Sequence, residues 1–477
     1  MAIKFGTEGW RAIMAEEFTA DNVRIVTQAI ADHLLAQGSA HGPRAMTVGH
    51  DTRFLSDHFA RAVAEVLAAN GIQVVLTDRA VPTCAVSRAV LSRKQPLGVM
   101  VTASHNPAIY NGIKVKEWFG GSANPDSVES IERRIGQTPV KRISFEAAQH
   151  AGPVTMANLL PDFLKGIKAF LDFKAIKRSR FTVLVESMHG AGGRLIEGLL
   201  EGGQCRVQTL HPDPDARFGG RAPEPIAANL GELIATMKRT KANLGIANDG
   251  DADRLGIIGP GGVWLNPGQV MCVLLLHLVR HRKASGAVVK TVSNTMMINR
   301  LVGTLGLRLI EVPVGFKHVA KLMLEDDVLV GGEESGGIGV KGYMPERDGL
   351  LTGLLALEAM AVSRKTLSQL MAELEAMCGS WHYGRRDLHL KMEQVDALFA
   401  RLHSTPPDQL AGVPVVHVNR LDGVKLIGRD ESWLLFRRSG TEPIVRIYAE
   451  TPRRPRLSQL LNLGVRLAAG DIASALA

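Results

Sequence analysis

The chain has 477 residues, enough for three or four domains of ordinary size and a large buried core. Hydrophobic residues make up 45% and charged residues 22%, the balance of a soluble globular protein, and 56 basic against 47 acidic residues leave a formal charge of +9. Aromatics are only 5%, which argues against a base-stacking platform and leaves nucleic acid, an anionic membrane face or small anionic substrates to account for the charge.

Met1 to Arg11 contains no apolar stretch of signal-peptide length. The best membrane candidate, Val270 to Val279, is too short to span a bilayer and carries His277. Cys84, Cys205, Cys272 and Cys378 are far apart with no CxxC pair, so neither a disulfide framework nor a zinc site is expected. The setting this predicts is reduced and cytoplasmic.

Three segments then read alike. In the first, the β-rich run Met46 to Gly49 leads to a helix with Val63, Val66 and Leu67 on one face. Gly71 closes the helix, and the strand Ile72 to Thr77 follows. In the second, Phe181 to Val185 precedes a helix with Leu195, Ile196, Leu199 and Leu200, then Gly202-Gly203 and Cys205 to Leu210. In the third, Ala287 to Val292 precedes Ile298, Leu301, Val302 and Leu305, then Gly306 and Leu307 to Val312. Apolar spacing of three and four marks the helices, and a glycine past the last apolar residue marks each end. Strand–helix–strand units predict parallel pairing.

Each unit adds a third apolar run that ends in a polar loop. Leu97 to Val101 enters Thr102-Ala-Ser104-His105-Asn-Pro107. Leu244 to Ala247 enters Asn248-Asp249-Gly-Asp251-Ala-Asp253-Arg254. Val328 to Val330 enters Gly331-Gly-Glu333-Glu334-Ser335-Gly336-Gly337. Ligands of open α/β sheets collect at the carboxyl ends of strands, so three such loops predict three related domains facing one cleft.

The tail is different. His382 to Leu390, Val415 to Val418, Val424 to Ile427, Ser432 to Arg437 and Ile444 to Ala449 read as strands, with helices around Met392 to Leu402 and Leu457 to Leu467. Short turns such as Asp422-Gly423 predict antiparallel pairing in an α+β module.

Asp249, Asp251 and Asp253 place three carboxylates at alternate positions after an apolar strand. Left alone they repel and raise one another's pKa, and a hard divalent cation removes the conflict. EF-hand spacing would require glycine and glutamate at the sixth and twelfth positions, where this chain has Arg254 and Pro260. A solvated acidic turn is the alternative.

Ser104 reads either as a helix N-cap ahead of Pro107 or as a nucleophile and phosphate carrier, with His105 as the adjacent base. It does not sit in a GxSxG elbow. Arg11, Lys114 and Arg254 are the cations available to it. Arg437-Arg438-Ser439-Gly440-Thr441 between two strands reads as an anion cradle or as an ordinary hairpin turn. Glu333 and Ser335 offer partners for sugar hydroxyls, and Lys317 a phosphate contact or a surface charge. Lys177 to Arg180, Arg280 to Lys283 and Arg453-Arg454 read as solvated element ends.

Together, Phe5-Gly-Thr-Glu8-Gly-Trp-Arg11, the Ser104 loop, the DGDADR run, GEESGG and RRSGTEP resemble the α-D-phosphohexomutase family, in the family's order and over essentially the whole chain. The resemblance implies three similar α/β domains with mixed, largely parallel sheets and a C-terminal α+β domain of the TATA-binding-protein-like type around a central cleft. On this reading the domains span residues 1–150, 151–258, 259–375 and 376–477. It implies a phosphorylated Ser104 that binds Mg²⁺ with Asp249, Asp251 and Asp253. It places Arg11, His105, Lys114, Arg254 and Lys317 near the transferred phosphate or its proton transfers, and Glu333 and Ser335 on sugar hydroxyls. Arg437, Ser439, Gly440 and Thr441 fall on the phosphate that stays.

Many relatives have Asp at the position of Glu8, and several have His at the position of Gly337, which moves the expected acid/base role towards Lys114. The implied reaction is 1,6-phosphoryl exchange on glucose or mannose phosphates, with a hexose 1,6-bisphosphate as intermediate and activator. The alternatives are a phosphoglucosamine mutase, a hexose-bisphosphate synthase or phosphatase, and a non-catalytic binding protein. The expected partner is a hexose phosphate, with no nucleic acid or membrane, in a monomer or homodimer.

Overall fold

The computed structural model describes residues 3–6, 8–38, 42–438 and 444–470. It divides into two compact units, residues 1–285 with 315–370 and residues 286–314 with 371–477. Among the described residues no helix is long and apolar enough to cross a membrane. Val270 to Val279 belongs instead to the helix Pro267–Arg280, buried along almost its whole length.

The first unit holds two mixed sheets. Six strands, β1 (Trp10–Ile13), β2 (Ala45–His50), β3 (Gln73–Thr77), β4 (Leu97–Val101), β5 (Tyr110–Glu117) and β6 (Val154–Ala157), line up in the order β1-β5-β4-β2-β3-β6. The pairs β2–β3, β2–β4 and β3–β6 are parallel, whereas β5 runs antiparallel to both β4 and β1. Five strands, β7 (Thr182–Glu186), β8 (Arg206–Leu210), β9 (Leu244–Asn248), β10 (Leu255–Gly259) and β11 (Val263–Leu265), repeat the scheme as β11-β10-β9-β7-β8. Here β7–β8 and β7–β9 are parallel and β10 returns antiparallel along β9.

β4 and β9 are buried at every position, which explains why they read as unbroken apolar runs rather than as alternating ones. In the third repeat, β12 (Ala287–Thr291) pairs in parallel with β13 (Leu309–Val312). β14 (Val328–Gly332) returns antiparallel through β15 (Ile338–Val340). The structure thus contains three α/β domains, and it adds a regularity the sequence reading lacked. Each chemistry-bearing loop is the tip of an antiparallel hairpin, joining β4 to β5, β9 to β10 and β14 to β15.

The C-terminal sheet belongs to the second unit. β16 (His382–His389), β17 (Gln409–Leu410), β18 (Val413–Asn419), β19 (Val424–Gly428), β20 (Trp433–Arg438) and β21 (Ile444–Thr451) form an antiparallel sheet in the order β16-β21-β20-β19-β18-β17. Helices Met392–Ser404 and Arg454–Ala469 bury Leu398, Leu402, Leu460 and Leu467 against Leu434, Phe436 and Ile447. Alternate residues Trp433, Leu435 and Tyr448 face the other way and pack on Val292.

Two lysines lie inside this unit. Lys425 donates to the Val292 carbonyl at 2.6 Å and sits 4.2 Å from the centre of the Trp433 ring. Lys290 is 3.3 Å and Lys425 4.0 Å from the single carboxylate of Glu311, which also accepts from Asn419. Burial first, then the Lys290 charge, push Lys425 down to about 7, and Glu311 and Glu450 only partly resist. The unfolded chain keeps this proton up to about 10.5, the ordinary value, while the folded chain sheds it near 7. Folding therefore releases a proton between those values, and stability should rise with pH across that window. We expect the second unit's urea-unfolding midpoint to rise between pH 7 and pH 10, and Lys425→Met to flatten the rise; an equal rise in the variant would remove Lys425 as its source.

Candidate active site

Ser104 sits at the tip of the β4–β5 hairpin with φ of +53°, in the left-handed region that a non-glycine residue seldom occupies. Residues 104–109 form turns rather than a helix, so the N-cap alternative is corrected here. The Ser104 N–H donates to Thr102 Oγ1 at 2.8 Å, and Thr102 Oγ1 donates to Asp51 Oδ2 at 2.6 Å. The serine side chain is fully buried, and its hydroxyl donates to Asp249 Oδ2 at 2.7 Å, across 145 residues of sequence. The metal loop reaches this close because residue 250 is glycine: a Cβ there would stand 2.7 Å from the Ser104 carbonyl oxygen.

The three aspartates are fully buried, and one candidate ligand atom from each lies within 4.8 Å of the others. Asp249 also accepts the Arg254 N–H at 3.0 Å. Lys114, on β5 opposite Met100, donates to Asp251 Oδ2 and Asp253 Oδ2, each at 2.6 Å. Thr83 adds a third bond to Asp251 Oδ2 at 2.5 Å. Among the described residues, the other oxygens, Asp251 Oδ1 and Asp253 Oδ1, are buried without a hydrogen-bond partner. Burial raises Asp249 to about 8, aided by the charges of Asp251 and Asp253. Burial also opposes ionisation of Asp253, but Arg347 and Lys114 outweigh it and hold that carboxyl well below the usual range. Unpaired buried carboxylate oxygens beside a serine hydroxyl suit a hard divalent cation with oxygen ligands.

A second ring surrounds this one. Arg347 is fully buried, pairs with Glu8, and donates to Asp253 Oδ2 at 2.8 Å and to Glu333 Oε2 at 3.3 Å. Glu8 is held down at about 2: burial opposes its ionisation, and the Arg347 and Lys114 charges prevail. Glu333 is pushed up to about 7 by burial, against the pull of Arg347, and accepts the Gly315 N–H at 2.9 Å. Arg11 donates to Asn106 Oδ1 at 2.8 Å and lies 3.8 Å from Glu8. His105 is lowered well below an ordinary histidine by burial and by the Arg254 and Arg11 charges, and its Nδ1 has no hydrogen-bond partner among the described residues. Lys317, half-buried, stands in the first turn of the helix Phe316–Glu325, and Ser335 is half-buried in the β14–β15 loop.

The structure therefore brings Ser104, His105, Lys114, Arg11, Arg254, Glu333 and the three aspartates into one cluster. Arg437 belongs to the other unit, where its Nε donates to Asp422 Oδ2 at 2.8 Å. Ser439, Gly440 and Thr441 lie outside the described residues. Arg347 and Arg53 were missed in the sequence. Arg347 had one signal, the glycine at 337: a Cβ there would sit 2.5 Å from Arg347 Cδ. A histidine at 337 is incompatible with this placement of Arg347. Removing one partner from a buried network strands the others. Arg347→Met should lower stability by about 3 kcal/mol in urea unfolding; a loss under about 1 kcal/mol would mean that the guanidinium does not hold these carboxylates.

The chain resembles known proteins over almost its whole length. The phosphoglucomutase/phosphomannomutase α/β/α domain I profile matches residues 2–141, domain II residues 161–262 and domain III residues 266–377. A phosphoglucomutase/phosphomannomutase of Thermococcus kodakarensis is 30% identical over 97% of this chain and 98% of its own length. A Methanothermobacter thermautotrophicus protein, provisionally named a phosphoglucosamine mutase, is 32% identical over 94% of this chain and 93% of its own. The crystal structure of a Thermus thermophilus protein, provisionally named a phosphomannomutase, superimposes with a TM-score of 0.86 at 36% identity, covering 98% of this chain and 99% of that one. The chain belongs to the phosphoglucomutase/phosphomannomutase family of phosphohexomutases.

Proposed function

We propose that this phosphohexomutase moves a phosphoryl group reversibly between the 1- and 6-positions of glucose and mannose phosphates, with Ser104 as carrier and a hexose 1,6-bisphosphate as intermediate. The observation that carries the reading is the Ser104 hydroxyl bonded to Asp249 beside two buried carboxylate oxygens that lack partners. Ser104, Asp249, Asp251 and Asp253 are the residues that would hold Mg²⁺, and their all-oxygen donor set fits it. When bound, the ion supplies charge neutralisation at the phosphoryl oxygens.

The chain's own groups do the rest. The sugar hydroxyl attacks the phosphorus of phospho-Ser104, the P–O bond to serine breaks, and a hexose bisphosphate forms. His105, with Nδ1 unpaired one residue from Ser104, accepts the attacking hydroxyl's proton. Lys114, protonated and bonded to Asp251 and Asp253, supplies a proton to the serine oxygen as that oxygen leaves. Arg11, Arg254 and Lys317 take the charge of the transferred phosphate, and Glu333 and Ser335 hold sugar hydroxyls. Arg437, Ser439, Gly440 and Thr441 grip the other phosphate. The bisphosphate turns around and returns its second phosphate to Ser104. Catalysis of this kind is mostly positioning and electrostatics. The Glu-Glu-Ser form of the sugar loop favours glucose and mannose over glucosamine phosphates.

Ser104→Ala is expected to abolish turnover with the fold intact; mutase activity within ~10-fold of wild type would end the carrier role. Asp251→Asn is expected to weaken Mg²⁺ binding in calorimetry at least ~10-fold, and an unchanged titration would take it out of the ligand set. A coupled assay of glucose, mannose and glucosamine phosphates, with trace bisphosphate, should rank glucosamine phosphate last; glucosamine phosphate first would favour the phosphoglucosamine mutase alternative.

A further inference from the structure

The carbonyls of the serine loop converge on one side chain. Arg53, directly after β2 and fully buried, donates from Nη2 to the Ser104 carbonyl at 2.6 Å and the Asn106 carbonyl at 2.7 Å. Its Nη1 donates to the Pro107 carbonyl at 2.9 Å and the Tyr110 carbonyl at 3.0 Å. Its Nε lies 3.2 Å from Asp51 Oδ2, the oxygen that also accepts from Thr102. The other carboxylate oxygen, Asp51 Oδ1, accepts the Arg53 N–H at 3.0 Å and the Ser56 hydroxyl at 2.8 Å. The far face of the guanidinium is covered by the Phe218 ring, 4.8 Å away, from the segment after β8.

We infer that Arg53 is a positioning residue that fixes the Ser104 backbone in its left-handed conformation and so aims the serine oxygen at the aspartate site. The inference rests on Ser104 being the phosphoryl carrier. A left-handed φ at a serine is strained and persists only where the surroundings over-determine it. Four carbonyls on one planar fork, whose charge is matched by Asp51, supply that determination. If the Ser104 carbonyl rotates, the Ser104 side chain leaves Asp249. Lysine cannot replace the fork, because its three donors radiate from one nitrogen and cannot meet four carbonyls and a carboxylate in a plane. Arg53 touches neither substrate phosphate nor sugar in the proposed scheme, so its loss should lower kcat and leave KM alone.

The test is the rate at which glucose 1,6-bisphosphate or mannose 1,6-bisphosphate phosphorylates Ser104, followed by intact mass on wild type, Arg53→Lys and Phe218→Leu with Mg²⁺. Circular dichroism and thermal midpoints monitor the fold. Misplacement by an ångström costs roughly 100-fold, so Arg53→Lys should phosphorylate and turn over about 100-fold more slowly, with KM within about 3-fold of wild type. Phe218→Leu removes the covering ring and should slow the step roughly 30-fold, the size of a desolvated cation–π contact. A folded Arg53→Lys that is phosphorylated at the wild-type rate overturns the inference. If that variant does not fold, a wild-type rate in Phe218→Leu does so instead. Failure of the wild type itself to become phosphorylated overturns the carrier reading, and this inference with it.

Discussion

Three carboxylates buried beside a serine set the terms for the first unit. Asp249, Asp251 and Asp253 share one small buried volume, and like charges at low dielectric cannot stay ionised without compensation. Lys114 bridges two of them and Arg347 takes a third contact, while Asp249 is left poised near 8. Each cation in turn constrains the backbone. Lys114 must sit on β5, so β5 must return along β4. Arg347 must cross Gly337, so that position must lack a side chain.

The hairpin-tip plan explains how one architecture supports three chemistries. Each parallel strand delivers its chain to the same end of a sheet, and the antiparallel return strand fixes the loop between them at both ends. A loop tied at both ends can hold a strained residue, and Ser104 and Ala252 both have positive φ. Rigid strands therefore carry the precision while the tips vary between serine, aspartate and glutamate.

The repeats, the aspartate triplet and the C-terminal antiparallel strands were legible in the sequence because each signal is local: apolar period, terminating glycine, carboxylates two residues apart. What escaped is long-range. Arg347 meets Asp253 across 94 residues and Glu8 across 339, and no spacing rule connects them. Arg53 belongs to none of the motifs the sequence offers, yet it is buried among carbonyls that only the folded loop presents. Lys290 and Lys425 sit in strands whose alternation gives no hint that an ammonium ion faces inward. Part of the basic excess stays at the surface as the sequence suggested: Lys168, Lys174, Lys177 and Arg178 rim a hollow of about 600 Å³ on the first unit.

The central claim is that the buried aspartates and Ser104 form one dication site. Anomalous diffraction from crystals grown with Mn²⁺ in place of Mg²⁺ tests it directly. The expected map has a single strong peak within bonding distance of Asp249, Asp251, Asp253 and the Ser104 oxygen or its phosphate. A map without that peak, with Lys114 still bonded to Asp251 and Asp253 at saturating Mn²⁺, would contradict it.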